Sequence, residues 1–122
     1  MAIVLVADDD PDIRELVIFK LKQAGHDVVG VADGPSAVNI AREVVPDVAI
    51  IDVTMPGLSG LGVCAALRED ETTARIPVVL LSARARPGDR QSGLRAGAAA
   101  YVTKPFSPRE LVERVESLLA AG

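Results

Sequence analysis

The chain has 122 residues, of which 49% are hydrophobic and 25% charged, a length and composition that argue for one compact domain and against two. Thirteen Lys and Arg against 17 Asp and Glu leave a net charge of −4 and a sequence pI near 4.9, which speaks against a nucleic-acid-binding surface on this segment. A lone cysteine, Cys64, and a lone histidine, His26, exclude a disulfide framework and a cysteine metal cluster and fit a reducing compartment.

No apolar run reaches the roughly 18 residues of a membrane span, and the start of the chain lacks the basic segment of a signal peptide. The expectation is a soluble, cytoplasmic protein with no membrane partner and no nucleic-acid contact through this domain. Phe19, Tyr101 and Phe106 are the only aromatics, little material for base stacking or for sandwiching a flavin ring.

In chain order, Ala2 to Ala7 is the first predicted strand, an almost continuous apolar run of the kind covered on both faces. A helix follows, with Asp10 as N-cap, Pro11 at its first position, Ile13, Leu16, Val17, Leu21 and Ala24 as its apolar stripe, and Gly25 as its stop. Asp27 to Ala32 is the second strand. Pro35 to Val45 is a helix with Ala37, Ile40, Ala41 and Val44 on one face, ended by Pro46. Asp47 to Ile51 is the third strand, and Ser59 to Glu69 a helix striped by Gly60, Val63, Cys64 and Leu67. Ile76 to Leu81 is the fourth strand. The next helix, Pro87 to Ala96, is interrupted by Gly93 and carries one large apolar side chain, Leu94, so it is expected to be marginal and mobile. Ala99 to Val102 is the fifth strand, and Pro108 to Leu119 the last helix, with a Ser107/Glu110 capping box and Leu111, Val115, Leu118 and Leu119 inward.

This unbroken alternation predicts an α/β fold, a (βα)5 doubly wound five-stranded parallel sheet of order 2-1-3-4-5, filling residues 1–122 as one domain. Ligands of such sheets sit beyond the carboxyl ends of the strands, where this sequence has Asp8, Asp9 and Asp10, then Asp52, Ser82 and Lys104. Strands one and three are neighbours in that order, so Asp8, Asp9 and Asp52 share one crevice. Unit charges about 4 Å apart repel by about 4 kcal/mol at the effective dielectric of a protein surface, so the cluster demands cations or raised pKa values. Lys104 supplies one cation, and Mg²⁺ suits an all-oxygen site that also holds phosphate oxygens. The chemistry this predicts is phosphoryl transfer. Asp10 is accounted for as a helix cap; Asp8 and Asp9 are not needed for that purpose.

Four segments in register carry a family resemblance along essentially the whole chain: Asp8-Asp9; Asp52-Val53-Thr54-Met55-Pro56-Gly57 followed by Gly60; Leu81-Ser82-Ala83; and Tyr101-Val102-Thr103-Lys104-Pro105-Phe106. The chain resembles the receiver domain of two-component response regulators, the CheY-like family. The resemblance implies that Asp52 is the phosphoacceptor, that Asp9 is a direct Mg²⁺ ligand with Asp8 as its outer-sphere partner, and that Asp52 and the carbonyl of Thr54 complete the protein's ligands. It further implies that Lys104 pairs with Asp52 and then with a phosphoryl oxygen, with a cis bond to Pro105. Ser82 and Tyr101 would be the switch pair, acting on the surface of the fourth helix, fifth strand and fifth helix. The donor would be a histidine kinase or a histidine phosphotransfer protein, and the domain a switch with self-catalysed phosphoryl transfer and dephosphorylation rather than a turnover enzyme.

Thr54 and Arg84 fall at the two variable positions that tune acyl-phosphate lifetime in that family. Ala98-Ala99-Ala100 departs from relatives that carry an acidic residue just before the tyrosine, which weakens the case for their mode of dimerisation and leaves a monomer or a weak phosphorylation-dependent dimer as the expectation. The segment from Lys104 to Leu111 resembles receivers that precede a winged-helix DNA-binding domain. Three rival readings fit the residues less well. A haloacid-dehalogenase-type phosphohydrolase needs a second Asp where this chain has Thr54, and a flavin module needs a first loop of hydroxyls and amides where this one is acidic. A pseudo-receiver acting only as a docking module would have lost the acids or the lysine, and all are present.

Overall fold

Three apolar runs form the centre of the molecule because each is covered on both faces. Val4 to Ala7, Val48 to Ile51 and Val78 to Leu81 are all buried, and side chains alternate along each strand, so each contributes to two separate cores. Leu5, Ala49, Ile51, Val78 and Leu80 face one side, and Val4, Val6, Val48, Ile50, Val79 and Leu81 the other.

The computed structural model describes residues 2–83 and 87–121. Its elements alternate: β1 (Ile3–Ala7), α1 (Pro11–Gln23), β2 (Asp27–Val31), α2 (Gly34–Val44), β3 (Val48–Asp52), α3 (Gly60–Glu69), β4 (Val78–Ser82), α4 (Pro87–Arg95), β5 (Ala100–Thr103) and α5 (Pro108–Ala121). All strand pairs are parallel, in the predicted order β2-β1-β3-β4-β5. On one face α1 and α5 bury Val17, Leu21, Leu111 and Val115; on the other α2 and α3 bury Ala37, Ala41, Val63, Cys64 and Leu67. Each fully buried Leu or Val of these stripes contributes about 1.5–3 kcal/mol.

The predicted caps Asp10 and Ser107 form, and Ser59 and Asp33 cap two further helices. Asp10 Oδ1 accepts from the N–H groups of Asp12 and Ile13 at 2.9 and 3.3 Å, Ser59 Oγ from Gly62 N–H at 3.2 Å and Ser107 Oγ from Glu110 N–H at 3.3 Å. Asp33 caps α2 through Ser36 N–H at 2.7 Å.

Departures from the sequence-based bounds are short and have local causes. Leu16 is 43% exposed, because α1 needs only the Val17/Leu21 stripe against the sheet and Leu16 points one step round the helix. Ala24 is likewise exposed. The third and fourth strands run one residue further than expected, so Asp52 and Ser82 are the last residues of their strands. The fourth starts at Val78, since Ile76 and Pro77 still belong to the approach loop.

The weakly apolar α4 is formed, but Leu94 is 48% exposed and does not anchor it. Its attachment runs through Gly93, where a Cβ would lie 2.7 Å from the Tyr101 ring and 3.1 Å from Leu80. Absence of a side chain is what lets this helix lie on β5 and β4. Its far end is held by Arg68, from the last turn of α3. That guanidinium donates to the carbonyl of Gly97 at 2.9 and 3.1 Å, to Ala74 at 2.9 Å and to Ile76 at 2.8 Å. Gly97 turns the chain into β5 with φ +101, a conformation that favours glycine.

Candidate functional site

Asp8, Asp52, Ser82 and Lys104 reach one end of the sheet from four strands. Asp8 follows β1 directly, and its N–H still pairs with the Val31 carbonyl of β2 at 3.1 Å. Asp52 ends β3 opposite Leu81 and Ser82 ends β4 opposite Thr103, whose neighbour Lys104 donates its N–H to the Ser82 carbonyl at 2.7 Å. The register of the parallel ladders therefore brings them to one level.

Asp8, Asp9 and Asp52 each offer a carboxylate oxygen within 4.8 Å of the others. Asp8 and Asp52 are buried, whereas Asp9 is exposed at the mouth of the cluster. Lys104 Nζ lies 3.3 Å from Asp8 Oδ2 and 3.3 Å from Asp52 Oδ1. The other oxygen of Asp8 accepts from Asp10 N–H at 2.9 Å. One cation thus faces three acids. Burial pushes the Asp52 carboxyl up to about 6, with the charges of Asp8 and Asp9 acting the same way and Lys104 opposing them. Burial pulls the Lys104 ammonium down, but Asp52 and Asp8 outweigh it and its pKa is raised overall.

The donor set fits a hard divalent cation such as Mg²⁺: oxygen only, three carboxylates converging, one of them exposed. Thr54 lies exposed in the loop two residues past Asp52. That loop is folded back closely, with Gly60 N–H on the Val53 carbonyl at 2.8 Å; a Cβ on Gly60 would stand 2.3 Å from the Asp52 carbonyl oxygen. Only glycine allows the start of α3 to press against the residue bearing the central carboxylate.

Ser82 is 2% exposed beside Asp52, and Tyr101 is 6% exposed, one strand further and beneath α4. The Lys104–Pro105 bond is cis. Arg84 lies outside the described residues. Cys64 is buried in the core between α3 and the sheet, where burial pushes its thiol pKa up, and His26 stands at the opposite end of the strands, 3.6 Å from Glu116. Neither belongs to the cluster. The site does include one residue that sequence pattern does not single out: Arg14 of α1 donates from Nη1 to the Asp8 carbonyl at 2.8 Å. Its place one turn after the Asp10 cap is the signal that could have found it.

A parallel 2-1-3-4-5 sheet with an acid cluster and a lysine at its switch point defines a phosphoryl-transfer class of site, and comparison with known proteins specifies the family. The model of the response regulator receiver domain matches residues 4–116, and the chain belongs to that family. The phosphate regulon transcriptional regulatory protein PhoB of Klebsiella pneumoniae is 45% identical over 116 residues, which is 95% of this chain and 51% of that protein. The chain spans about half the length of the curated relatives it matches. Among solved structures, a Francisella response regulator receiver domain superposes with a TM-score of 0.93 at 36% identity, covering 99% of this chain and 98% of that one. The receiver domain of a sensor histidine kinase from Pseudomonas aeruginosa, with a magnesium ion coordinated in its active-site cleft, gives 0.90 at 31% identity and 98% of both chains.

Proposed function

We propose that this receiver, acting as one domain over residues 1–122, takes a phosphoryl group onto Asp52 in a Mg²⁺-dependent reaction and changes its α4–β5–α5 surface in response. The observation that carries the proposal is the convergence of Asp8, Asp9 and Asp52 with Lys104 bridging two of them.

Asp9 and Asp52, with the Thr54 carbonyl, would hold Mg²⁺, and Asp8 would bind it through water. Bound there, Mg²⁺ neutralises charge that otherwise repels the incoming phosphoryl oxygens. The ionised Asp52 carboxylate attacks phosphorus in line, forming the O–P bond as the bond to the donor's imidazole nitrogen breaks with its electron pair left on that nitrogen. A carboxyl near 6 is mostly ionised at neutral pH, so the nucleophile is available. Lys104 exchanges Asp52 for a phosphoryl oxygen, and the Ser82 hydroxyl turns toward that group. Tyr101, packed against Gly93, carries the change to α4. Water then attacks the acyl phosphate, the phosphoryl bond breaks and inorganic phosphate leaves, which returns the Asp52 carboxylate and resets the domain.

The donor is a phosphohistidine on a sensor kinase or phosphotransfer protein, chemistry that fits a cytoplasmic, reducing setting with Cys64 unpaired. Among the described residues no helix is long and apolar enough to cross a membrane. Intact-protein mass after incubation with acetyl phosphate tests the assignment. One added phosphoryl group, abolished by EDTA and by Asp52→Asn, is the expected result. An unmodified protein that also ignores beryllofluoride would overturn it and leave the acids and Lys104 as structural residues.

A further inference from the structure

Resting on Mg²⁺ binding by the acid cluster, we infer that Arg14 is a positioning residue for Asp9, acting through the main chain of Asp8. Asp8 is fixed at four points. Its N–H is tied to β2, one carboxylate oxygen to Asp10 N–H, the other to Lys104, and its carbonyl to Arg14 Nη1 at 2.8 Å. The first three hold the strand end and the side chain of Asp8 itself. The fourth holds the carbonyl, and with it the plane of the Asp8–Asp9 peptide, because a peptide unit is rigid.

Asp9 has no comparable hold on its own side chain. It is exposed, and no hydrogen bond to its carboxylate is seen among the described residues. The peptide plane therefore sets the Cα–Cβ base from which that carboxylate swings toward a bound ion. Arg14 is built to set that plane. It is half-buried, its own N–H closes the first hydrogen bond of α1 on the Asp10 carbonyl at 2.9 Å, and its stem lies across Gly30 of β2, whose missing Cβ would sit 3.6 Å from Arg14 Cδ. A long side chain thus crosses from the helix over the sheet edge to one carbonyl beside the acids.

Partners that orient metal ligands without touching the metal commonly change affinity by about tenfold or more when removed. The test measures Mg²⁺ affinity directly, by titrating amide NMR shifts of Asp9 and Asp52, and separately measures acetyl phosphate labelling across Mg²⁺ concentration. For Arg14→Ala, we expect half-saturation by Mg²⁺ to rise by roughly tenfold in both assays. The labelling rate at saturating Mg²⁺ should stay within about twofold of native, and Arg14→Lys, which keeps a donor on a long stem, should recover most of the affinity. An unchanged Mg²⁺ half-saturation in Arg14→Ala, or a rate loss equal at all Mg²⁺ concentrations, would overturn the inference. Should Arg14→Ala fail to fold, Arg14→Gln, which keeps a polar side chain too short for that carbonyl, replaces it under the same criteria. Native protein that shows no Mg²⁺-dependent shift would instead refute the metal assignment on which the inference rests.

Discussion

At the scale of single residues, the sign of the Asp52 pKa shift makes a prediction about stability. Its pKa in the folded chain is raised to about 6 from 3.8, chiefly by burial, so the folded state binds the proton more tightly than the unfolded chain does. The stabilisation from a neutral Asp52 is fully present below pH 3.8 and lost as pH rises through about 6. Without Mg²⁺, Asp52→Asn should therefore be more stable than native at pH 7.5, by up to about 3 kcal/mol, with the gap closing as pH approaches 4. Chemical denaturation at the two pH values checks this, and an Asn variant less stable at both would contradict it. Lys104 acts the opposite way on the same carboxyl. Lys104→Met should move the pH midpoint of acetyl phosphate labelling upward from the native midpoint, because the ammonium that favours ionised Asp52 is gone. A midpoint that falls or stays put would show that the lysine does not govern the nucleophile.

Among the elements, α4 is the one whose place depends least on apolar burial. Its single large apolar side chain is half exposed, its contact with β5 runs through Gly93, and its C-terminal turn is held by one arginine from α3. Arg68→Met would keep the stem and strip four hydrogen bonds from three carbonyls. The expected cost is about 2–3 kcal/mol, since orphaned carbonyls lose more than an average hydrogen bond returns. Amide exchange of Ala96 to Ala99 should accelerate well beyond that of β1 or β3. Uniform acceleration through the sheet would instead make Arg68 a general stability residue with no particular tie to α4.

For the whole molecule, the sheet links the acid cluster to the α4–β5 surface within two strands: Asp52 on β3, Ser82 on β4, then Thr103 and Tyr101 on β5. An element with few apolar anchors next to a site that gains a doubly charged group is suited to a population shift. With beryllofluoride and Mg²⁺, NMR shifts should move at Asp52 and also through Gly93 to Tyr101. Changes confined to Asp52 and its immediate neighbours would sink the coupling.

Strand and helix order, the Asp10 and Ser107 helix caps, the sheet order and the shared crevice of Asp8, Asp9 and Asp52 are legible in the sequence, whereas the Asp33 and Ser59 caps emerge only in the structure. Apolar periodicity, cap chemistry and the right-handed crossover rule act locally and leave few alternatives. The two-faced burial of the central strands followed from the same patterns. Tertiary structure alone decided the rest. Asp52 and Ser82 became strand residues because ladder pairing with Leu81 and Thr103 extends each strand by one. Leu16 and Leu94 went to solvent because each helix presents to the sheet only what its crossing allows. Arg14 and Arg68 found their carbonyls across six to 29 residues of chain, and apart from Arg14's place one turn after a cap, local pattern does not rank one arginine above another. Long polar side chains reach partners that only the packed fold places within 3 Å, so their roles are the last to be visible in a sequence.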